Sequence, residues 1–64
     1  MEKIVKVTAY SITHNVQETA KESITVGEMI ERLQDFPLDA KVVYQKDSDS
    51  IYCYFEYGDS FREL

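Results

Sequence analysis

A chain of 64 residues with one cysteine, one histidine and no tryptophan makes a single domain, residues 1–64, that buries only about 60% of its unfolded surface. A lone cysteine excludes an internal disulfide, and beside a lone histidine it excludes the usual structural zinc site, so oligomerisation is the support left for so small a core. Twelve acidic residues against seven basic, a net charge of −5, argue against binding a phosphate backbone and suit a soluble protein with a basic protein partner.

No apolar run has transmembrane length, and no signal-peptide core follows the N-terminus. A single cysteine fits a reducing cytosol. The hydrophobic share of 44%, with five Tyr and three Phe, belongs to a globular chain.

Residues 2–13 alternate, with Val5, Val7 and Ala9 on one face and Lys6, Thr8 and Tyr10 on the other. The β-branched run Ile4-Val5-Lys6-Val7-Thr8 favours a first strand. Residues 14–23 show no period. They are expected to form a polar loop, or a turn at His14-Asn15 followed by a strand over roughly 16–22.

The clearest element starts at Thr25. Its hydroxyl suits an N-cap, and Glu28 three positions on completes a capping box. Ile24 and Met29 are placed for a hydrophobic staple. Val26, Met29, Ile30, Leu33 and Phe36 fall within an arc of roughly 120°, the width of a helix lying on a core. Glu28, Glu31, Arg32 and Asp35 fall opposite, with Glu28 and Arg32 at favourable i, i+4 spacing. Pro37 ends the helix, and Phe36-Pro37-Leu38-Asp39 predicts a tight turn with Pro second.

Val42-Val43-Tyr44 predicts a short strand, and Asp47-Ser48-Asp49-Ser50 a polar connection. Ile51 to Tyr57 has the strongest strand character in the chain. Ile51, Cys53, Phe55 and Tyr57 are expected to face the helix, and Tyr52, Tyr54 and Glu56 the other side. Phe61 and Leu64 in the tail have no assigned place. The fold class expected is α+β. One amphipathic helix packs on a small, mainly antiparallel sheet of three or four strands, in the order β, loop or β, α, β, β, with the last two strands as a hairpin.

Few residues suggest chemistry. Asp47-Ser48-Asp49-Ser50 opens like a calcium loop, but Tyr52 stands where Gly is needed and Gly58 where a bidentate Glu is needed. His14 has no identifiable acid or nucleophile beside it. Cys53, between Ile51 and Phe55, is expected to be a buried inert thiol. No catalytic residue, metal ligand or cofactor is expected, and the chain is taken as a non-enzyme. Tyrosine is enriched at interaction hot spots. Tyr10, Tyr44, Tyr52, Tyr54 and Glu56 therefore form the candidate protein-binding face. Cross-strand aromatic pairing that merely stabilises the sheet is the competing explanation.

Thr25-Val26-Gly27-Glu28-Met29-Ile30, Leu33 and Phe36-Pro37-Leu38-Asp39-Ala40-Lys41-Val42-Val43 together resemble a pattern in small uncharacterised proteins of bacteria and their phages. There a capped helix of the form TVGELI leads through a proline stop into a hairpin. The likeness spans Thr25 to Val43 and carries no catalytic residue. It implies a phage or mobile-element setting, where small acidic domains act as anti-CRISPR-like defence inhibitors. The function expected is therefore a non-enzymatic protein-binding domain in the bacterial cytoplasm that inhibits a bacterial defence protein by occupying its surface. The alternative is a structural or adaptor module with no inhibitory role. Direct nucleic-acid binding and membrane association are not expected. A homodimer is, tightening as salt screens the −5 charge on each chain.

Overall fold

The computed structural model describes residues 2–47 and 49–64. Two helices and a three-stranded mixed sheet follow the order β1 (Ile4–Ala9), α1 (Val16–Glu22), α2 (Val26–Leu33), β2 (Lys41–Lys46) and β3 (Phe61–Glu63). The sheet order is β2-β1-β3, with β1 and β2 parallel and β1 and β3 antiparallel.

The α+β class, the helix on a sheet and the alternation of β1 are as the sequence predicts. Val5, Val7 and Ala9 are buried, and Ile24, Met29, Phe36, Ala40 and Phe55 pack against the cluster of Val5, Val7 and Phe61. The sheet is not mainly antiparallel. Parallel neighbours need a long crossover, and the two helices supply one. They return the chain to the start of β1, where Ile4 pairs with Lys41 and Val7 with Tyr44.

Residues 14–23 are neither loop nor strand over most of their length. Asn15 caps α1, its side-chain oxygen accepting the N–H groups of Gln17 at 2.9 Å and Glu18 at 3.0 Å. Glu18 in the first turn and Lys21 in the last suit the helix dipole and bridge each other at 3.2 Å. The sole buried side chain of α1 is Thr19, its hydroxyl donating to the Asn15 carbonyl at 2.8 Å. A helix that buries one polar residue leaves no apolar period in the sequence.

The α2 capping box forms as expected. The Glu28 N–H donates to the Thr25 hydroxyl at 3.1 Å, and the Thr25 N–H to the Glu28 carboxylate at 2.9 Å. The rest of the helix differs. It ends at Leu33 with Gln34 as C-cap, before Pro37. The turn that follows closes from the Ala40 N–H to the Pro37 carbonyl at 3.1 Å, so Pro37 stands first in it and not second.

Arg32, expected on the solvent side with Glu28, turns inward. Its Nε donates to the Tyr57 carbonyl at 2.6 Å, Nη2 to the Phe61 carbonyl at 3.2 Å and Nη1 to Asp35 at 2.8 Å. Its guanidinium lies 5.5–5.6 Å from the ring centres of Phe36, Tyr57 and Phe61. With Met29, Arg32 and Phe36 inward, Val26, Ile30 and Leu33 are left exposed.

Ile51–Tyr57 is not a strand. It meets the sheet in a single bridge, Tyr54 with Tyr10, and its other ties go to the helix junction. The Ile24 N–H donates to the Phe55 carbonyl at 3.1 Å, and the Phe55 N–H to the Ser23 hydroxyl at 3.3 Å. The tail supplies the third strand instead. Ser60, fully buried, accepts the Glu56 N–H on its hydroxyl at 2.6 Å, while its carbonyl accepts the Thr8 N–H at 2.8 Å. That reversal sets Phe61 beside Val7.

Stability should follow this packing. Phe61, 4% exposed, is expected to cost about 3–5 kcal/mol as Phe61→Ala, most of what a small domain possesses. Ile30→Ala, at a residue 53% exposed, should cost under about 1 kcal/mol. Chemical denaturation of the two variants compares them directly, and equal losses would contradict the packing. A methyl at Gly27 would meet only the Thr25 hydroxyl, at 3.9 Å. Gly27→Ala should therefore raise the denaturation midpoint, by about 0.5–1 kcal/mol of stability.

Candidate functional site

The sheet face that carries Val5, Val7 and Ala9 extends onto β2 as Val42, Tyr44 and Lys46, their register partners. α2 covers β1 and β3 through Met29, Arg32 and Phe36. Among the described residues nothing covers β2, whose six residues are all exposed. Two apolar grooves result. The larger, about 570 Å³, has Ala9 in its floor, Val16, Thr19 and Ala20 of α1 along one side, and Tyr44, Ile51, Tyr52 and Phe55 among its other walls. The smaller, about 180 Å³, lies at the other end of β2, among Leu33, Phe36, Leu38 and Val42. Leu38 is 99% exposed, Ile51 79% and Tyr44 57%.

The five candidate residues do not share one face. Tyr44 and Tyr52 meet in the larger groove, so Tyr52 stands on the helix side and not away from it. Tyr10 and Tyr54 exchange backbone hydrogen bonds of 2.9 and 2.8 Å, and their rings lie 6.0 Å apart at 42°. Those two are a cross-strand pair. The Glu56 carboxyl is raised above its ordinary pKa, chiefly by a hydrogen bond with the Asp59 carboxyl and then by desolvation and the Asp59 charge.

Cys53 is half-buried in the wall of the larger groove and not sealed in a strand. Its sulfur lies 3.8 Å from the Ser50 carbonyl. His14 is exposed in the loop before α1. Ser48, in the loop that opens like a calcium site, lies outside the described residues. Among the described residues no three His, Cys, Asp or Glu side chains gather as a metal site would require, and no helix is long and apolar enough to cross a membrane.

Val16, Leu38 and Ile51 are groove residues that the sequence pattern did not single out. Val16 is hidden because α1 carries no apolar period, and Ile51 reads in sequence as a residue of a strand face. Leu38 sits in the turn after Pro37, and a bare leucine in a turn was the available signal. Comparison with protein families, characterised proteins and solved structures finds no match to this chain.

The tyrosines outside the groove test the geometry by titration. Tyr57 donates to Glu31 at 2.7 Å, and that bond, with desolvation and the Glu31 charge, raises its pKa. Tyr54 is raised by desolvation first and then by the charges of Glu56 and Glu22. A tyrosine raised in the folded state contributes stability that is complete below its unfolded value near 10 and is lost as pH rises through the folded value. Tyrosinate absorbance should show both residues ionising late. Glu31→Gln should bring the Tyr57 midpoint down and leave Tyr54 in place, and an unchanged profile would contradict the Tyr57–Glu31 bond.

Proposed function

We propose that this chain is a non-enzymatic protein-binding domain that seats an apolar segment of its partner in the larger groove. The observation that carries this reading is the concentration of exposed Val16, Tyr44, Ile51 and Tyr52 around one concavity. Contiguous apolar surface on a small domain marks an interaction site, and tyrosine gives broad contact at low entropic cost. The net charge of −5 favours a partner whose surface around the bound segment is basic.

The resemblance over Thr25–Val43 makes a bacterial defence protein the proposed target, inhibited by occupation of its surface in the bacterial cytoplasm. A structural or adaptor role for the same groove is the second reading.

Affinity capture from bacterial lysate tests both readings when the native chain is compared with the double variant Val16→Ser, Ile51→Ser. The native chain is expected to recover a nuclease or other defence effector and suppress its activity, and the variant to lose it by tenfold or more. Recovery of phage structural proteins alone would overturn inhibition in favour of the adaptor. Equal recovery by native and variant chains would overturn the groove. Bound partner should also slow thiol labelling of Cys53, which lines the groove wall.

A further inference from the structure

The free edge of β2 has a self-complementary pattern. β2 pairs on one side only. The Lys41 N–H donates to the Lys3 carbonyl at 2.8 Å, and the Asp47 N–H to the Ala9 carbonyl at 3.0 Å. In a parallel ladder the backbone groups of alternate residues turn to the same side. Lys41, Val43, Gln45 and Asp47 thus face β1, and Val42, Tyr44 and Lys46 present their N–H and C=O groups outward. The opposite edge of the sheet, β3, is only three residues long, and Arg32 takes the Phe61 carbonyl. β2 has no proline or bulge to discourage pairing. Its centre is Val42-Val43-Tyr44-Gln45, exposed on both faces.

We infer that two copies of this chain join antiparallel along β2, in the register that sets Tyr44 opposite the partner's Tyr44. A twofold axis normal to the sheet preserves its faces, so even residues must meet even ones and odd must meet odd. Two central registers use the strand fully.

With Tyr44 at the axis, the outward groups of Tyr44 meet the partner's Tyr44, and those of Val42 meet the partner's Lys46. Lys41 then lies opposite the partner's Asp47 at both ends. With Val43 at the axis, Lys41 would lie opposite the partner's Gln45, and the partner's Asp47 would fall beyond the strand, against the Pro37–Ala40 turn, with no cation opposite it. Ala40, whose N–H is already given to Pro37, would have to serve as a ladder residue. Opposite charges across a strand pair attract and like charges repel, so charge selects the Tyr44 register.

Two three-stranded sheets thereby become one, with both helix layers on the same side. The groove holding Leu33 and Leu38 opens toward the partner's groove holding Val16 and Ile51. A stable dimer buries about 800 Å² per partner, more than six strand residues supply, and the apolar side chains flanking β2 are the surface available to complete it. The dimer needs no other partner, so its failure and the failure of the groove reading are separately visible.

The test is cross-linking with light scattering. Native protein at tens of micromolar should scatter as a dimer of 7.5 kDa chains. In a Cys53→Ser background, Tyr44→Cys should oxidise to a covalent dimer, since directly opposed hydrogen-bonded residues sit about 5.5 Å apart at Cα. Val43→Cys should not. Asp47→Lys should loosen association roughly tenfold by facing Lys41, and Lys41→Asp with Asp47→Lys should restore it. Circular dichroism confirms that each variant is folded. A monomer mass throughout overturns the dimer. Cross-linking through Val43→Cys, or tightening by Asp47→Lys alone, overturns the register.

Discussion

Everything in this fold depends on β1, which alone among the described strands has neighbours on both edges and a sealed face. Val5, Val7 and Ala9 give that face its period, and Phe61 is brought beside Val7 by the buried Ser60 turn. Two helices of seven and eight residues cannot cover three strands. α2 is committed to the β1–β3 half, where Phe61 stacks on Phe55 at 6.4 Å. α1 stands at the far end of the crossover. The β2 half is left open, and the exposure of Val42 and Tyr44 follows from that shortage.

Arg32 explains why α2 settles on that half. A guanidinium is planar, weakly hydrated and rich in donors. It can lie among aromatic rings and still donate to carbonyls at their rim. Its bonds to the Tyr57 and Phe61 carbonyls tie α2 to the last quarter of the chain. That rotation of the helix places Met29 and Phe36 inward and turns Val26, Ile30 and Leu33 out. The apolar stripe is wider than the surface available to it, and a charged residue whose stem and plane are compatible with rings takes the place of a leucine.

Local features were legible in the sequence, and features decided by competition between distant segments were not. The Thr25–Glu28 box is a matter of three residues and forms as written. The alternation of β1 likewise needs only the strand itself. Ile51–Tyr57 has the composition of a strand, yet composition cannot say whether a sheet edge is free to accept it. One edge of β1 is taken by β2 and the other by Phe61–Glu63, so the aromatic segment is left with a single bridge at Tyr54. α1 was invisible because Thr19 is its only buried residue. Of the five candidate site residues, Tyr44 and Tyr52 reach the groove. Tyr10 and Tyr54 are consumed by pairing with each other, an outcome that composition alone could not separate from exposure.

The open half of the sheet raises a question of economy that the proposed dimer would answer. A small acidic domain gains little from a bare β-branched edge, which invites pairing with any extended chain. Closing that edge against a second copy would satisfy the outward groups of Val42, Tyr44 and Lys46 and would leave the walls of the larger groove that lie away from β2, Val16 and Phe55, where they are. In the proposed dimer, self-association would take the backbone edge and the apolar side chains flanking β2, and a partner would be left the groove walls that lie away from it. The backbone edge would hold the two copies in register. The apolar side chains flanking β2 would complete that interface, gathered from two chains on one side of a continuous sheet. Each copy would keep its own Val16 and Phe55 walls for a partner, so the groove reading would stand or fall without the dimer.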